Sequence, residues 1–155
     1  MNRRIDTALA WIEATPERIY HAFLNSDELV EWLPPKGMSA RATVFEPWVG
    51  GTYQLVLTYE EADLISGKTT DRTDVSNGRF LDLVPGLKIV QVGTFESADP
   101  AFAGEMIQTW YLEALDGGTR VTIVCENVPP GIRKQDHDVG LRSTLDNLAR
   151  YLTND

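Results

Sequence analysis

Residues 5–12, Ile-Asp-Thr-Ala-Leu-Ala-Trp-Ile, alternate loosely between apolar and polar positions, the period of a half-buried strand. The period then changes. Thr15-Pro16-Glu17 combines a hydroxyl able to cap free amides, a proline suited to the first helical position and a carboxylate at the positive end of the helix dipole. A helix to about Asn25 follows, and Ser26-Asp27-Glu28 repeats the start signal ahead of Leu29, Val30, Trp32 and Leu33. Pro34-Pro35 forbids continuation, so the pattern predicts two short helices joined at Asn25-Ser26.

From residue 39 to 127 the pattern is β throughout. Thr43-Val44-Phe45 precedes a Gly50-Gly51 turn, after which Tyr53, Leu55, Leu57 and Tyr59 share one face of a strand while Gln54 and Thr58 take the other. Residues 60–74 are polar and read as a long hairpin loop. Residues 78–84 and 87–95 pair around Pro85-Gly86, a loop covers 96–103, and residues 105–113 and 119–127 pair around Asp116-Gly117-Gly118. Short connections between consecutive strands predict an antiparallel meander. After Pro129-Pro130-Gly131, residues 132–152 carry Leu141, Leu145, Leu148 and Leu152 as one apolar stripe of a long amphipathic helix. Gly140 within that helix costs about 1 kcal/mol relative to alanine, which points to a close approach by the sheet or by a bound molecule. The order of elements predicts an α+β helix-grip architecture: a curved antiparallel sheet wrapped around the long C-terminal helix, with two short helices after the first strand. Without repeat, linker or low-complexity segment, residues 1–155 read as a single domain.

Composition narrows the function. A chain of 155 residues with 43% hydrophobic content can bury a core that needs neither disulfide nor metal. Lys and Arg number 14 against 23 Asp and Glu, a formal charge of −9, which argues against nucleic acid and anionic membrane surfaces as partners. Asp6 and Glu13 interrupt any secretory leader and no long apolar run occurs, so a soluble, cytoplasmic protein is expected. The single cysteine, Cys125, ends the run Val121-Thr122-Ile123-Val124 and reads as a buried thiol acting as a small hydrophobe.

Catalytic signals are sparse. Ser66-Gly67-Lys68-Thr69 resembles the end of a phosphate-binding loop, but Ala62 stands where the pattern needs glycine, and a hairpin tip is the better reading. His21 and His137 sit in no ligand-spaced motif, so no metal and no cofactor are expected. His21 reads as a surface or rim residue. His137, between Asp136 and Asp138, is the one candidate acid–base group, its pKa raised if those carboxylates approach it in space. No nucleophile elbow or dinucleotide fingerprint appears, so no catalytic residue is assigned.

The inward strand faces are more informative. If Val121, Ile123 and Cys125 point inward, their partners are Met106, Gln108, Trp110 and Leu112, then Leu87, Ile89, Gln91, Gly93 and Phe95. Two glutamines thus interrupt apolar faces. A buried amide must find partners or forgo about 1–3 kcal/mol, so Gln91 and Gln108 bond each other, hold water or orient a ligand, and the hydroxyls of Tyr53 and Tyr59 face the same choice. Either a satisfied internal network or a small-molecule pocket fits the pattern. Of the four tryptophans, Trp32 reads as an anchor of the short helices and Trp110 as the candidate for ligand contact, the core being the default place for any one of them.

Several segments together resemble a known family: Thr15-Pro16-Glu17 with Tyr20 and Phe23, Trp32-Leu33-Pro34-Pro35, Gly50-Gly51-Thr52-Tyr53, Gly78 to Pro85, Gly118-Thr119-Arg120-Val121-Thr122, and Gly140 with Leu141, Leu145, Leu148 and Tyr151-Leu152. In this order they are similar to the activator of Hsp90 ATPase homologue-like family of the START-like (SRPBCC) helix-grip superfamily, over nearly the whole chain. The resemblance implies a small-molecule binding module that holds an apolar or amphipathic ligand between sheet and C-terminal helix. Tyr53, Tyr59, Gln91, Met106, Gln108, Trp110, Leu141 and Leu145 are the candidate ligand-binding residues. Members usually carry tryptophan after the helix glycine; Leu141 stands there, a departure that implies a reshaped cavity mouth. Two alternatives come with the family: modulation of an Hsp90-type chaperone, and cyclase- or hydrolase-like chemistry on hydrophobic substrates. An open edge strand would support a homodimer, or be blunted by Lys68 and its polar loop.

Overall fold

The computed structural model describes residues 4–34, 37–59, 73–95 and 99–153. Its elements run β1 (Ile5–Ile12), α1 (Pro16–Leu24), α2 (Ser26–Trp32), β2 (Met38–Phe45), β3 (Thr52–Tyr59), β4 (Thr73–Val84), β5 (Lys88–Phe95), a short 3-10 turn at Pro100–Phe102, β6 (Met106–Leu115), β7 (Gly118–Glu126) and α3 (Lys134–Thr153). The seven strands form one antiparallel sheet in the order β1-β7-β6-β5-β4-β3-β2. From β2 onward each strand pairs with its sequence neighbour, and β1 returns to pair with β7, giving the helix-grip arrangement that the pattern predicts.

The local signals act as expected. Thr15 caps α1 by accepting a hydrogen bond from the Arg18 amide at 3.1 Å, with Pro16 in the first turn. Asn25 ends α1 and caps α2 through the Glu28 amide, also at 3.1 Å. Asp116 and Gly117 both take positive φ, 51° and 79°, so β6 and β7 are joined by the two-residue turn whose twist suits a hairpin. Leu141, Leu145, Leu148 and Leu152 are all buried, and α3 packs mainly along β1 and against α2. Polar ties hold its two ends: His137 Nδ1 lies 2.7 Å from Asp6 Oδ2 of β1, and the Tyr151 hydroxyl donates to Glu28 Oε1 of α2 at 2.8 Å.

Some expectations are corrected. β4 begins at Thr73 rather than at residue 78, because Thr73 to Asn77 pair with β3. Leu87 belongs to the turn before β5 and is 59% exposed, so it does not join the inward face. Trp32 and Trp110 are core residues, but Trp11 and Trp48 are exposed; Trp11 lies over Gly118 and donates its indole hydrogen to the Leu115 carbonyl at 2.7 Å. Residues 60–72, with the Ser66-Gly67-Lys68-Thr69 tip, lie outside the described residues, as do Pro35, residues 96–98 and the side chain of Phe95.

Gly140 is a further correction. Nothing lies within 4 Å of the place a β carbon would take there, so neither sheet nor cavity requires glycine. In the exposed middle of a helix, Gly140→Ala is expected to stabilise the protein by about 0.5–1 kcal/mol. A raised urea midpoint would show it; a lowered one would mean that the helix needs the glycine backbone.

Candidate functional site

Sheet register places the site. One inward row crosses Phe45, Tyr53, Gly78, Gly93 and Met106 on β2 to β6. Two adjacent positions of that row carry no side chain, which leaves a hollow in the sheet. The Tyr53 ring lies across it: a β carbon on Gly78 would meet Tyr53 Cζ and Oη at 2.3 Å and the Val92 carbonyl oxygen at 2.6 Å. Glycine in a strand interior marks such close approach. The ring is further held by Phe80, whose centroid is 5.3 Å away.

Above this hollow is a cavity of about 180 Å³. Phe23, Leu29 and Leu33 of α1, α2 and the segment after them close one side, and Phe45, Leu55 and Phe80 of the sheet supply the apolar part of the other. Its polar wall consists of Tyr53, Ser76, Gln91, Thr94 and Gln108, with Met106 and Gly93 beside them. Among the described residues, no charged side chain contributes. No residue of α3 contributes either, so the space lies under the two short helices rather than between the sheet and the C-terminal helix.

The neighbouring inward row carries the amides: Phe80, Gln91, Gln108, Cys125 and Asp6 are successive partners across the sheet. The indole of Trp110 can only donate, and its Nε1 is 2.8 Å from Gln108 Oε1. That contact orients the Gln108 amide. Gln91 Nε2 then donates to the same oxygen at 2.8 Å, and Gln108 Nε2 donates to Cys125 Sγ at 3.4 Å. Burial pushes the Cys125 thiol up to about 11, against a small lowering by Gln108, so it stays protonated and unreactive at neutral pH. Asp6, fully buried, ends the row. Arg4 donates to both its oxygens, at 2.9 and 3.3 Å, and His137 closes on it from α3.

Four of the eight candidate ligand-binding residues, Tyr53, Gln91, Met106 and Gln108, meet in the cavity wall. The other four lie elsewhere. Tyr59 is 42% exposed near the end of β3, where its hydroxyl donates to Asp74 Oδ2 at 3.5 Å. Trp110 stands behind the wall, stacked edge-on against Phe23 and Trp32, and reaches the cavity only through Gln108. Leu141 and Leu145 pack into the core beneath α3. His137 finds its carboxylate in Asp6 rather than in its sequence neighbours Asp136 and Asp138, and the pair does not line the cavity. His21 is exposed and sits 2.6 Å from Glu28. Sequence reasoning missed Phe45, Ser76 and Phe80 in the wall; Gly78 and Gly93 were the available signal, because glycine inside a strand announces something lying over it.

Residues 13–153 match the family described as Activator of Hsp90 ATPase homolog 1-like protein. The chain belongs to this family. Among solved structures, one from Chromobacterium violaceum is 31% identical to this family member, with a TM-score of 0.86 over 97% of this chain and 98% of the other. A Rhodobacter sphaeroides protein is 20% identical, with a TM-score of 0.79 over 97% and 99% of the two chains. An AHSA1-like protein from Aeromonas hydrophila is 15% identical, with a TM-score of 0.75 over 97% and 93%. The last two show likeness of fold. Among curated proteins, no sequence matches this one. Among the described residues of this Hsp90-activator-like chain, no helix is long and apolar enough to cross a membrane, and no cluster of His, Cys, Asp and Glu is placed to hold a metal ion.

Proposed function

We propose that this protein is a binding module, a single domain over residues 1–155, that holds a small apolar or amphipathic molecule in the cavity between the concave sheet and helices α1 and α2. The observation that carries the reading is the cavity itself: about 180 Å³ with apolar walls on both sides and a short arc of neutral polar groups at the sheet. Apolar enclosure with a few placed polar groups is the usual form of a small-molecule site. The superfamily fold supports the same reading.

Native mass spectrometry of the freshly purified protein tests it, with Gly93→Leu as the blocked control. A β carbon at Gly93 would sit 3.4 Å from the Asn77 carbonyl oxygen and 3.5 Å from the Tyr53 hydroxyl, so a side chain there has room to start and fills the cavity as it extends. A discrete added mass is expected on the wild-type protein, lost on denaturation and missing from Gly93→Leu. The same mass on the blocked variant would place the bound molecule elsewhere, and a bare polypeptide in both would count against a retained ligand.

A further inference from the structure

The Tyr53 residue is only 7% exposed, its side chain lines the cavity, and its hydroxyl meets no hydrogen-bond partner among the described residues. No sealed polar side-chain atom among the described residues lacks a partner, so this hydroxyl opens into the cavity, free to bond what enters it. Nothing about its position is accidental to the sheet. Gly78 lets the ring lie flat against β4, and Gly93 leaves open the space beyond the oxygen, so two strands give up side chains along one row for the benefit of this group.

The second polar group is Gln91. Its Nε2 is committed to Gln108 Oε1, which already accepts from Trp110, while its own carbonyl oxygen bonds nothing among the described residues. Trp110 thus fixes Gln108, and Gln108 fixes Gln91. Among the described residues the wall is neutral: the Tyr53 hydroxyl and the Gln91 amide stand beside the hydroxyls of Ser76 and Thr94, with no cation to receive a carboxylate or phosphate and no carboxylate to receive an amine. An ion entering this wall would lose its hydration without a counter-charge. Size sets the scale of the part held inside, since a cavity of about 150 Å³ admits benzene and this one is about 180 Å³.

We infer that the occupant is an uncharged molecule of about one ring carrying a carbonyl or hydroxyl oxygen, which takes a hydrogen bond from the Tyr53 hydroxyl while the ring lies against Phe80, Leu29 and Phe23. This rests on the cavity being a binding site, as proposed above. Burial raises the Tyr53 pKa, so the hydroxyl keeps its proton to donate across the whole working range of pH.

Three probes of one shape separate the possibilities: acetophenone, ethylbenzene and benzoate, titrated calorimetrically into the wild-type protein and into Tyr53→Phe. The wild-type protein is expected to bind acetophenone about tenfold more tightly than ethylbenzene, one net hydrogen bond near the top of its usual range, and benzoate not measurably. Tyr53→Phe, which keeps the ring over Gly78, is expected to bring acetophenone down to the affinity of the hydrocarbon. Equal wild-type affinities for acetophenone and ethylbenzene would overturn the hydroxyl as handle while leaving the cavity a binding site. Tightest binding of benzoate would overturn the neutral class. Binding of none of the three would overturn the cavity reading and the inference with it.

Discussion

Trp110→Ala is expected to lower the free energy of unfolding by about 4 kcal/mol, the cost of emptying a large aromatic site in a core. The residue is 2% exposed and central to an aromatic group, with ring centroids 4.9 Å from Phe23 and 5.9 Å from Trp32. Those rings come from α1 and α2, so the vacancy would loosen the short helices where they meet the sheet. Part of the loss is polar: without the indole hydrogen, Gln108 Oε1 keeps only Gln91 as donor. Urea unfolding followed by circular dichroism measures the total. Trp110→Phe, which refills most of the volume but not the hydrogen bond, is expected to lose about 1–2 kcal/mol. A loss below about 1 kcal/mol for the alanine variant would contradict the placement of this ring in the core. Weak binding by a Trp110 variant is therefore ambiguous, whereas Tyr53→Phe and Gly93→Leu change the cavity and spare this cluster.

The second large effect belongs to Asp6. Burial by itself would raise the pKa of this carboxyl, but hydrogen bonds from Arg4 and His137 and their positive charge outweigh it, and the group is held below its ordinary value of 3.8. A carboxyl whose folded pKa is depressed contributes stability that is fully present above the unfolded value and is lost as pH falls through the folded one. The wild-type protein should therefore keep this contribution from neutral pH down to about pH 5 and lose it progressively below about pH 4. Asp6→Asn is expected to cost about 2–3 kcal/mol at pH 7, less than the ~3–5 kcal/mol of breaking a fully buried pair, because water still reaches Arg4 and His137. The gap between the two proteins should narrow on acidification below pH 4. Urea midpoints between pH 3 and 7 read it directly, and a gap that stays constant with pH would remove Asp6 as the titrating group.

Much of this fold could be read from the chain, because its signals are local. Thr15 with Pro16, the Asp116-Gly117 turn and the leucines of α3 each specify their element from within a few residues, and element order then selects the architecture. The site was less legible. Gln91 and Gln108 stood out as polar interruptions, and pairing them needed only neighbouring strands in simple register. Tyr53 over Gly78 and Gly93 depends on the registers of β3, β4 and β5 together, and the irregularity between Phe80 and Asp82 shifts the row in a way no alternation predicts. The partner of His137 was invisible for a different reason: Asp6 lies 131 residues away, and two nearer carboxylates offered themselves. Leu141 and Leu145 satisfy the stripe on α3, but a stripe says only that a face is buried and not whether a core or a cavity covers it.

The cavity wall takes no residue from α3, while α3 is fastened to β1 through Asp6 and to α2 through Glu28. What lines the cavity and what keeps the C-terminal helix in place are thus written largely in separate residues. Substitutions at Ser76, Gly93 or Met106 can change the shape of the cavity without touching those fastenings. Under the proposed binding function, such a frame would let selection exchange one guest for another in small steps while the backbone stays the same.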